Sequence, residues 1–299
     1  MKMLIAGAAL YSKAFLQLAS APMLLTLMQA ALGSLGSFLW LSKGGRQPVP
    51  SLSGGTVAVL AVILTHFVGT ALTNVSTLFS SASFVNTIKA ADPLFAVVFA
   101  RLVLGQRFSA LTHLSLVIIV VGIIIACTTE FKFEFNGFWT VMLSNACFPL
   151  RAIYTKKLLT ESPTPLSGQT IFFWLSFTTL LVSIPFSLYE FVFHREAYTT
   201  IAAGGLAARY LGLAVLMHYG YNALSFILVA EVQPLTYSIG NSVKRLVTIY
   251  GSILYFRNPV STFNLASSAV AVAGVFLYSW EEERVRKAKL IASAKTSPV

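Results

Sequence analysis

Acidic side chains are scarce. The 299 residues hold only ten Asp and Glu, against 21 Lys and Arg, and charged residues of both signs make up just 10% of the chain. Water-soluble domains carry about 25% charged residues, so so few charges exclude an ordinary soluble core. There are two cysteines, Cys127 and Cys147, both inside apolar stretches. That excludes a disulfide framework and a cysteine metal site, and leaves them as small packing residues. The four histidines, His66, His113, His194 and His218, form no HExxH or other metal-ligand spacing. No P-loop is present, which argues against ATP-driven pumping. No acid/base or metal set supports an enzyme, and no cofactor is implied. A basic stripe with interleaved aromatics is also missing, so the net charge of +11 does not indicate a nucleic-acid partner. No cleavable leader or Arg/Ser-rich transit segment is visible: Lys13 interrupts the first apolar run early.

What the chain has instead is apolar length. Hydrophobic residues make up 56% of it and the mean hydropathy is +0.77. Windows of about 19 residues give roughly ten membrane-spanning helix candidates, near 3–17, 21–42, 55–78, 82–104, 109–128, 136–159, 167–193, 204–230, 234–256 and 262–280. The fold expected is all-α in a bilayer. Lys43, Arg46, Arg107, Lys156, Lys157 and the basic tail fall on one side of such a bundle. The other side holds only Lys132, Arg195, Arg257 and, by this count, Lys13 and Arg209. That asymmetry places both termini in the cytosol. A short internal repeat supports the same organisation. The interval from Ser109 to Gly122 matches that from Ser261 to Gly274, and each follows a segment carrying intramembrane cations. Five helices per half make the halves oppositely oriented, an arrangement that recurs in transporters with a midplane site. The expected division is one transporter domain over 1–280, with repeat one about 1–130 and repeat two about 131–280, then a basic cytosolic tail over 281–299.

The chemistry gathers on three cations. Lys89 lies within FVNTIKAADPLFAVVF, and Lys244 and Arg245 lie within LTYSIGNSVKRLVTIYGSILYF. An ionisable residue at a helix centre costs about 2.5–3.5 kcal/mol on insertion scales. Asp92 can pair with Lys89, but one Asp does not neutralise three cations, so an anionic ligand is expected. Polar residues also fall on helix faces: His66, Thr70, Thr73, Asn74 and Thr77; Ser144, Arg151 and Thr155; His218, Tyr221, Asn222 and Ser225; Tyr237, Asn241, Lys244 and Thr248. One such stripe is ordinary interhelical glue. Four stripes with central cations point to a shared wet cavity. Phosphate suits it, because Arg offers a planar donor fork, Lys a compact charge, and Tyr and Thr further donors.

These residues carry a family resemblance. From about Met23 to Tyr278 the chain resembles the plastidic phosphate translocators, within the triose-phosphate/nucleotide-sugar branch of the drug/metabolite transporters. The motifs are TNVS (73–76), NTIKAADPLF (86–95), LRAIYTKKL (150–158), YNALSF (221–226) and GNSVKRLVTI (240–249). The Lys244-Arg245 pair resembles the phosphate translocators, whereas nucleotide-sugar carriers often differ at the second position. The resemblance implies antiport of inorganic phosphate against phosphorylated C3 metabolites: triose phosphate, 3-phosphoglycerate and, as a possible third, phosphoenolpyruvate. It implies that Lys89, Lys244 and Arg245 bind phosphate, that Thr73 and Tyr221 help hold the ligand, and that Arg151 lines or structures the cavity. Triose-phosphate members have His in a Gly-His pair where this chain has Gly69-Thr70; His66 stands a further turn back.

The expected substrate-binding set is therefore Lys89, Lys244, Arg245, Tyr221, Thr73, Thr70 and Arg151, without metal or cofactor. The expected setting is a plastid membrane, apicoplast included, with a Golgi or ER membrane as the alternative, and with a possible homodimer. The rival functions are a nucleotide-sugar/nucleoside monophosphate antiporter of the secretory pathway and a non-transporting membrane sensor.

Overall fold

The computed structural model describes residues 2–44, 56–130, 133–161, 167–231, 247–256 and 261–296. Among them there are helices and no strands. In chain order they are α1 (Lys2–Leu18), α2 (Pro22–Gly44), α3 (Thr56–Phe79), α4 (Ala82–Ile88), a 3₁₀ turn (Lys89–Ala91), α5 (Asp92–Leu104), α6 (Ala110–Thr128), α7 (Phe135–Glu161), α8 (Gly168–Phe193), α9 (Arg195–Ala202) and α10 (Leu206–Glu231). Two more follow, α11 (Val247–Phe256) and α12 (Thr262–Thr296).

The bundle exposes apolar side chains, and its interior combines apolar clusters with buried polar side chains. Leu102 and Leu254 are 75% and 78% exposed, while Ser144, Asn145 and Ser252 are fully buried. Lipid tails accept the outer side chains, and packing and interhelical hydrogen bonds hold the interior. Among the described residues, five helices are long and apolar enough to cross a membrane: Pro22–Lys43, Val57–Phe79, Ala110–Thr128, Gly168–Phe193 and Thr262–Ala288. The pair Arg195–Ala202 and Leu206–Ser225, bent by 92°, makes a sixth if taken as one span. The bend falls at Gly204, whose φ of +80° suits glycine far better than any side chain with a Cβ.

The structure revises three sequence expectations. The segment 82–104 is not one helix but α4 and α5 joined by a 3₁₀ turn, for reasons that bear on the site. The region from 281 onward continues α12 as far as Thr296. Lys13 is no loop cation. It is buried in α1, and its Nζ donates to the carbonyls of Thr77 (2.8 Å) and Leu78 (3.2 Å) in the last turn of α3. A helix C-terminus presents unpaired carbonyls and a negative dipole end, so an ammonium fits there. The converse occurs at the start of α2. Glu190 of α8 accepts from the backbone N–H groups of Met23 (3.1 Å) and Leu24 (2.9 Å).

The interval repeated in the sequence forms one helix pair. Helices α6 and α12 pack at Gly122 and Gly274. A Cβ on Gly122 would lie 2.6 Å from the backbone nitrogen of Ala271, and one on Gly274 would lie 2.7 Å from Ile119 Cγ1 and 3.0 Å from its backbone nitrogen. Ile119 and Ala271 each stand three residues before the glycine of their own helix, so the two contacts mirror each other. The helix starts match as well: Ser109 Oγ accepts from Thr112 N, and Ser261 Oγ from Asn264 N. A carboxylate from each side meets the start of the other helix, Glu130 just beyond the last turn of α6 and Glu281 within α12. Ser109 donates to Glu281 (2.7 Å) and Asn264 to Glu130 (3.3 Å). Glu130 also accepts from Ser81, the N-cap of α4. Burial raises its carboxyl above the ordinary range, and these two hydrogen bonds oppose that shift.

Candidate functional site

The break between α4 and α5 follows from local chemistry. Pro93 has no N–H, so the Lys89 carbonyl lacks its usual helical donor four residues on. Lys89 O instead accepts from Asp92 N, which tightens the turn to 3₁₀. Ile88 O thereby loses the donor an α-helix would give it. Asn145 of α7 fills that place, its Nδ2 donating at 2.8 Å. Freed backbone of this kind is tolerated within a membrane protein only where protein or a cavity satisfies it. Asn145 thus holds open the bend on which Lys89 stands. Replacing it by Ala leaves a buried carbonyl unpaired, at a cost of about 1–3 kcal/mol. We expect Asn145→Ala to lower the melting temperature in detergent and to reduce ligand affinity as well, because the Lys89 turn loosens. Unchanged melting and unchanged affinity would show that the break is held by something else.

Lys89 projects from this turn toward α3 and α7. Its Nζ donates to Thr73 Oγ1 at 2.9 Å and lies 4.9 Å from the centroid of the Phe148 ring. The Thr73 hydroxyl stands 2.8 Å from Gly69 O and 2.7 Å from Ser144 Oγ. An ammonium only donates, so Thr73 Oγ1 accepts from Lys89 through a lone pair, and its own proton goes to Gly69 O or to Ser144 Oγ. On the neighbouring turn of α7, Arg151 Nη1 lies 2.9 Å from His66 Nδ1, and Arg151 Cζ is 5.2 Å from the same Phe148 ring. One aromatic ring of α7 therefore lies against two cations, one from the Lys89 turn and one from α7 itself, in cation–π contacts. Pro149, beside Phe148, removes one more backbone hydrogen bond from α7 at the level of the site.

These groups border a partly open cavity of about 530 Å³ between the helices of the bundle, lined by both polar and apolar side chains. That size is in the usual range for small-molecule sites. Of the expected site residues, Lys89, Thr70, Thr73, Arg151 and Tyr221 all line it. Lys244 and Arg245 lie outside the described residues, as do Tyr237 and Asn241. The α3 stripe reaches the cavity complete, from His66 to Thr77, and so does the α10 stripe of His218, Tyr221, Asn222 and Ser225. His218 and Tyr221 meet edge to face with centroids 5.3 Å apart. The α7 stripe divides. Arg151 faces the cavity, whereas Ser144 turns to α3 and donates to Gly69 O at 2.9 Å. Asn74 serves both purposes, lining the cavity while donating to Thr26 (2.8 Å) and Gln29 (3.1 Å) of α2. Asp92 and Thr248 complete the polar wall.

The sequence placed His66 on the α3 stripe but gave it no partner. The structure puts it on the cavity wall and against Arg151. Its only signal in the sequence was its place at the head of the α3 stripe; the partner is 85 residues away. Asn145 and Phe148 also escaped, since neither a buried amide nor a Phe stands out in an apolar segment. A second hollow, of about 690 Å³, lies between the α1–α2 turn and the α8–α9 turn. Its charged residues, Arg195 and Glu196, are opposite in sign and neighbours on one short helix. It offers no convergent cations.

The model of a family described as the Triose-phosphate Transporter family matches residues 4–279. Phosphoenolpyruvate/phosphate translocator 3, chloroplastic, of Oryza sativa subsp. japonica is 38% identical over 277 residues, covering 90% of this chain and 70% of that protein. The triose phosphate/phosphate translocator, non-green plastid, chloroplastic, of Brassica oleracea var. botrytis is 34% identical, covering 94% of this chain and 69% of its own length. The xylulose 5-phosphate/phosphate translocator, chloroplastic, of Arabidopsis thaliana is 32% identical, with 93% and 67% covered. A crystal structure of a protein 15% identical superposes on this one with a TM-score of 0.50 over 99% of each chain, a likeness of fold alone.

Proposed function

The chain belongs to the triose-phosphate transporter family, and from that premise we propose that it is a membrane antiporter exchanging inorganic phosphate for phosphorylated metabolites, with three-carbon compounds as its main substrates. The observation that carries the reading is the Lys89 turn: an intramembrane ammonium held at a helix break, facing a polar cavity beside a second cation. A phosphorylated ligand brings about two negative charges and several acceptor oxygens. Lys89, with Lys244 and Arg245 from the sequence, binds the phosphoryl group. Thr70, Thr73 and Tyr221 supply neutral hydrogen bonds, and Arg151 faces the rest of the ligand. The relatives are named for phosphate exchange with phosphoenolpyruvate, triose phosphate and xylulose 5-phosphate, which supports the phosphoryl group as the shared determinant.

The architecture in this reading is ten spans in two inverted five-helix halves, about 1–130 and 131–280, with both termini cytosolic and the membrane that of a plastid. The mirrored α6–α12 contact supports the inverted arrangement. Alternating access then follows from charge. Closing an empty cationic site in a low dielectric incurs a large desolvation penalty. A bound phosphate offsets it, so the carrier reorients when loaded and exchange is favoured over net flux.

A competition experiment tests the substrate class. Labelled phosphate uptake is followed in phosphate-loaded proteoliposomes while unlabelled compounds compete outside. Phosphoenolpyruvate, 3-phosphoglycerate and dihydroxyacetone phosphate should inhibit at lower concentration than glucose 6-phosphate, and UMP should be weakest. Strong inhibition by UMP with none by the three-carbon compounds would identify a nucleoside monophosphate carrier instead.

A further inference from the structure

The contact between Arg151 and His66 has a direction. A guanidinium donates hydrogen bonds and accepts none. At 2.9 Å, His66 Nδ1 is therefore the acceptor and carries no proton, and the neutral ring keeps its proton on Nε2. Nε2 has no hydrogen-bond partner among the described residues, and the ring lines the cavity. The side chain thus does two things at once. It fixes the plane of the Arg151 fork, and it leaves one N–H available beside that fork.

This pair is separate from the Lys89 group. Lys89 is bound to Thr73, Arg151 to His66, and both cations stand about 5 Å from the centroid of the Phe148 ring. The cavity therefore has two cationic poles, each near the same aromatic ring. A monovalent or compact anion needs one of them. A short molecule that is anionic at both ends can use both. At the second pole the donors are a planar guanidinium and an adjacent N–H, which match the two oxygens of a carboxylate better than a bare alcohol or carbonyl.

We propose that His66 is a specificity-determining residue of a second anion pole, in which it orients Arg151 and, with its own Nε2–H, joins Arg151 in taking the carboxylate of a phosphorylated three-carbon acid whose phosphate sits at Lys89. The assignment rests on the phosphate-exchange reading above and deepens it. It predicts that His66 separates acids from non-acids among phosphorylated substrates of the same length.

The experiment uses the full chain in phosphate-loaded proteoliposomes, as wild type, His66→Ala and His66→Gln. KM is measured for phosphoenolpyruvate, for dihydroxyacetone phosphate, which has no carboxylate, and for inorganic phosphate. For His66→Ala the ratio of the phosphoenolpyruvate KM to the dihydroxyacetone phosphate KM should rise about tenfold, the loss expected when a charge-assisted contact is misaligned. His66→Gln should recover most of it, because its amide oxygen can accept from Arg151 while its NH2 donates into the cavity. An unchanged ratio in His66→Ala, or a parallel loss for all three compounds in both variants, overturns the proposal in favour of a structural role. A wild type that exchanges phosphate but refuses phosphoenolpyruvate overturns it too, and leaves the antiport reading standing. A wild type that exchanges no phosphorylated compound overturns both.

Discussion

Replacing Lys89 by Ala should abolish phosphate exchange, by at least about 100-fold, without unfolding the protein. Removing one partner of a buried hydrogen-bonded charge pair costs about 2–5 kcal/mol in binding, and each 1.4 kcal/mol is a factor of ten. The folded state does not suffer equally. An ammonium at a helix centre is costly to insert, and its loss leaves the Thr73 hydroxyl bonded to Gly69 O and near Ser144. Melting in detergent should therefore stay the same or rise, and exchange in vesicles should vanish. Lys89→Arg is expected to retain a small part of the activity, since the charge survives but the fork does not fit an ammonium's place beside Thr73. The same loss of exchange is expected for Lys244→Ala and Arg245→Ala. Ordinary exchange by Lys89→Ala would remove the cationic site from the account.

The second large effect is on folding. Gly122→Val should prevent accumulation of monodisperse protein, or lower its melting temperature by far more than any cavity substitution. Even one added carbon at Gly122 would sit 2.6 Å from Ala271 N and 2.9 Å from Ala271 Cα. Those are backbone atoms and cannot rotate away, so α6 and α12 must separate along a long shared face. Overpacking of a tight contact typically costs about 1–3 kcal/mol, and more where backbone must move. Gly274→Val should behave alike, because it makes the mirrored contact with Ile119 and Ser115. Gly212→Ala provides the control. Among the described residues nothing lies within 4 Å of a Cβ there, and Ala is the better helix former by about 1 kcal/mol. Size-exclusion and melting profiles of the three variants check this. A Gly122→Val protein as stable as Gly212→Ala would show that the α6–α12 contact does not hold the bundle.

The fold was legible wherever period and length carry the signal. The helix limits for α2, α3, α6 and α8 fall within a residue or two of the hydropathy reading, and the α3 and α10 stripes reach one cavity because a 3.6-residue period puts them on one face. The repeat from Ser109 and from Ser261 was visible as spacing, and the structure turns it into two glycines that each meet the other helix three residues before its own glycine. What escaped were features made by tertiary partners. The break at Lys89–Ala91 was signalled by Pro93, but the segment is apolar on both sides and read as one helix; it needs Asn145 to satisfy Ile88 O. The Lys13 charge looked like a loop cation because nothing in the sequence shows the carbonyls of Thr77 and Leu78 waiting for it. His66 was legible as a member of the α3 stripe, but its contact with Arg151, on another helix, was not.

The central claim is that a cationic cavity within a helical bundle carries phosphate by obligatory exchange. The most direct measurement is labelled phosphate uptake by purified protein in liposomes, comparing vesicles loaded with unlabelled phosphate or phosphoenolpyruvate against vesicles loaded with buffer alone. The account predicts rapid uptake into the loaded vesicles and almost none into the empty ones, since the unloaded site resists reorientation. Equal uptake into both would contradict exchange, and no uptake into any would contradict phosphate as the cargo.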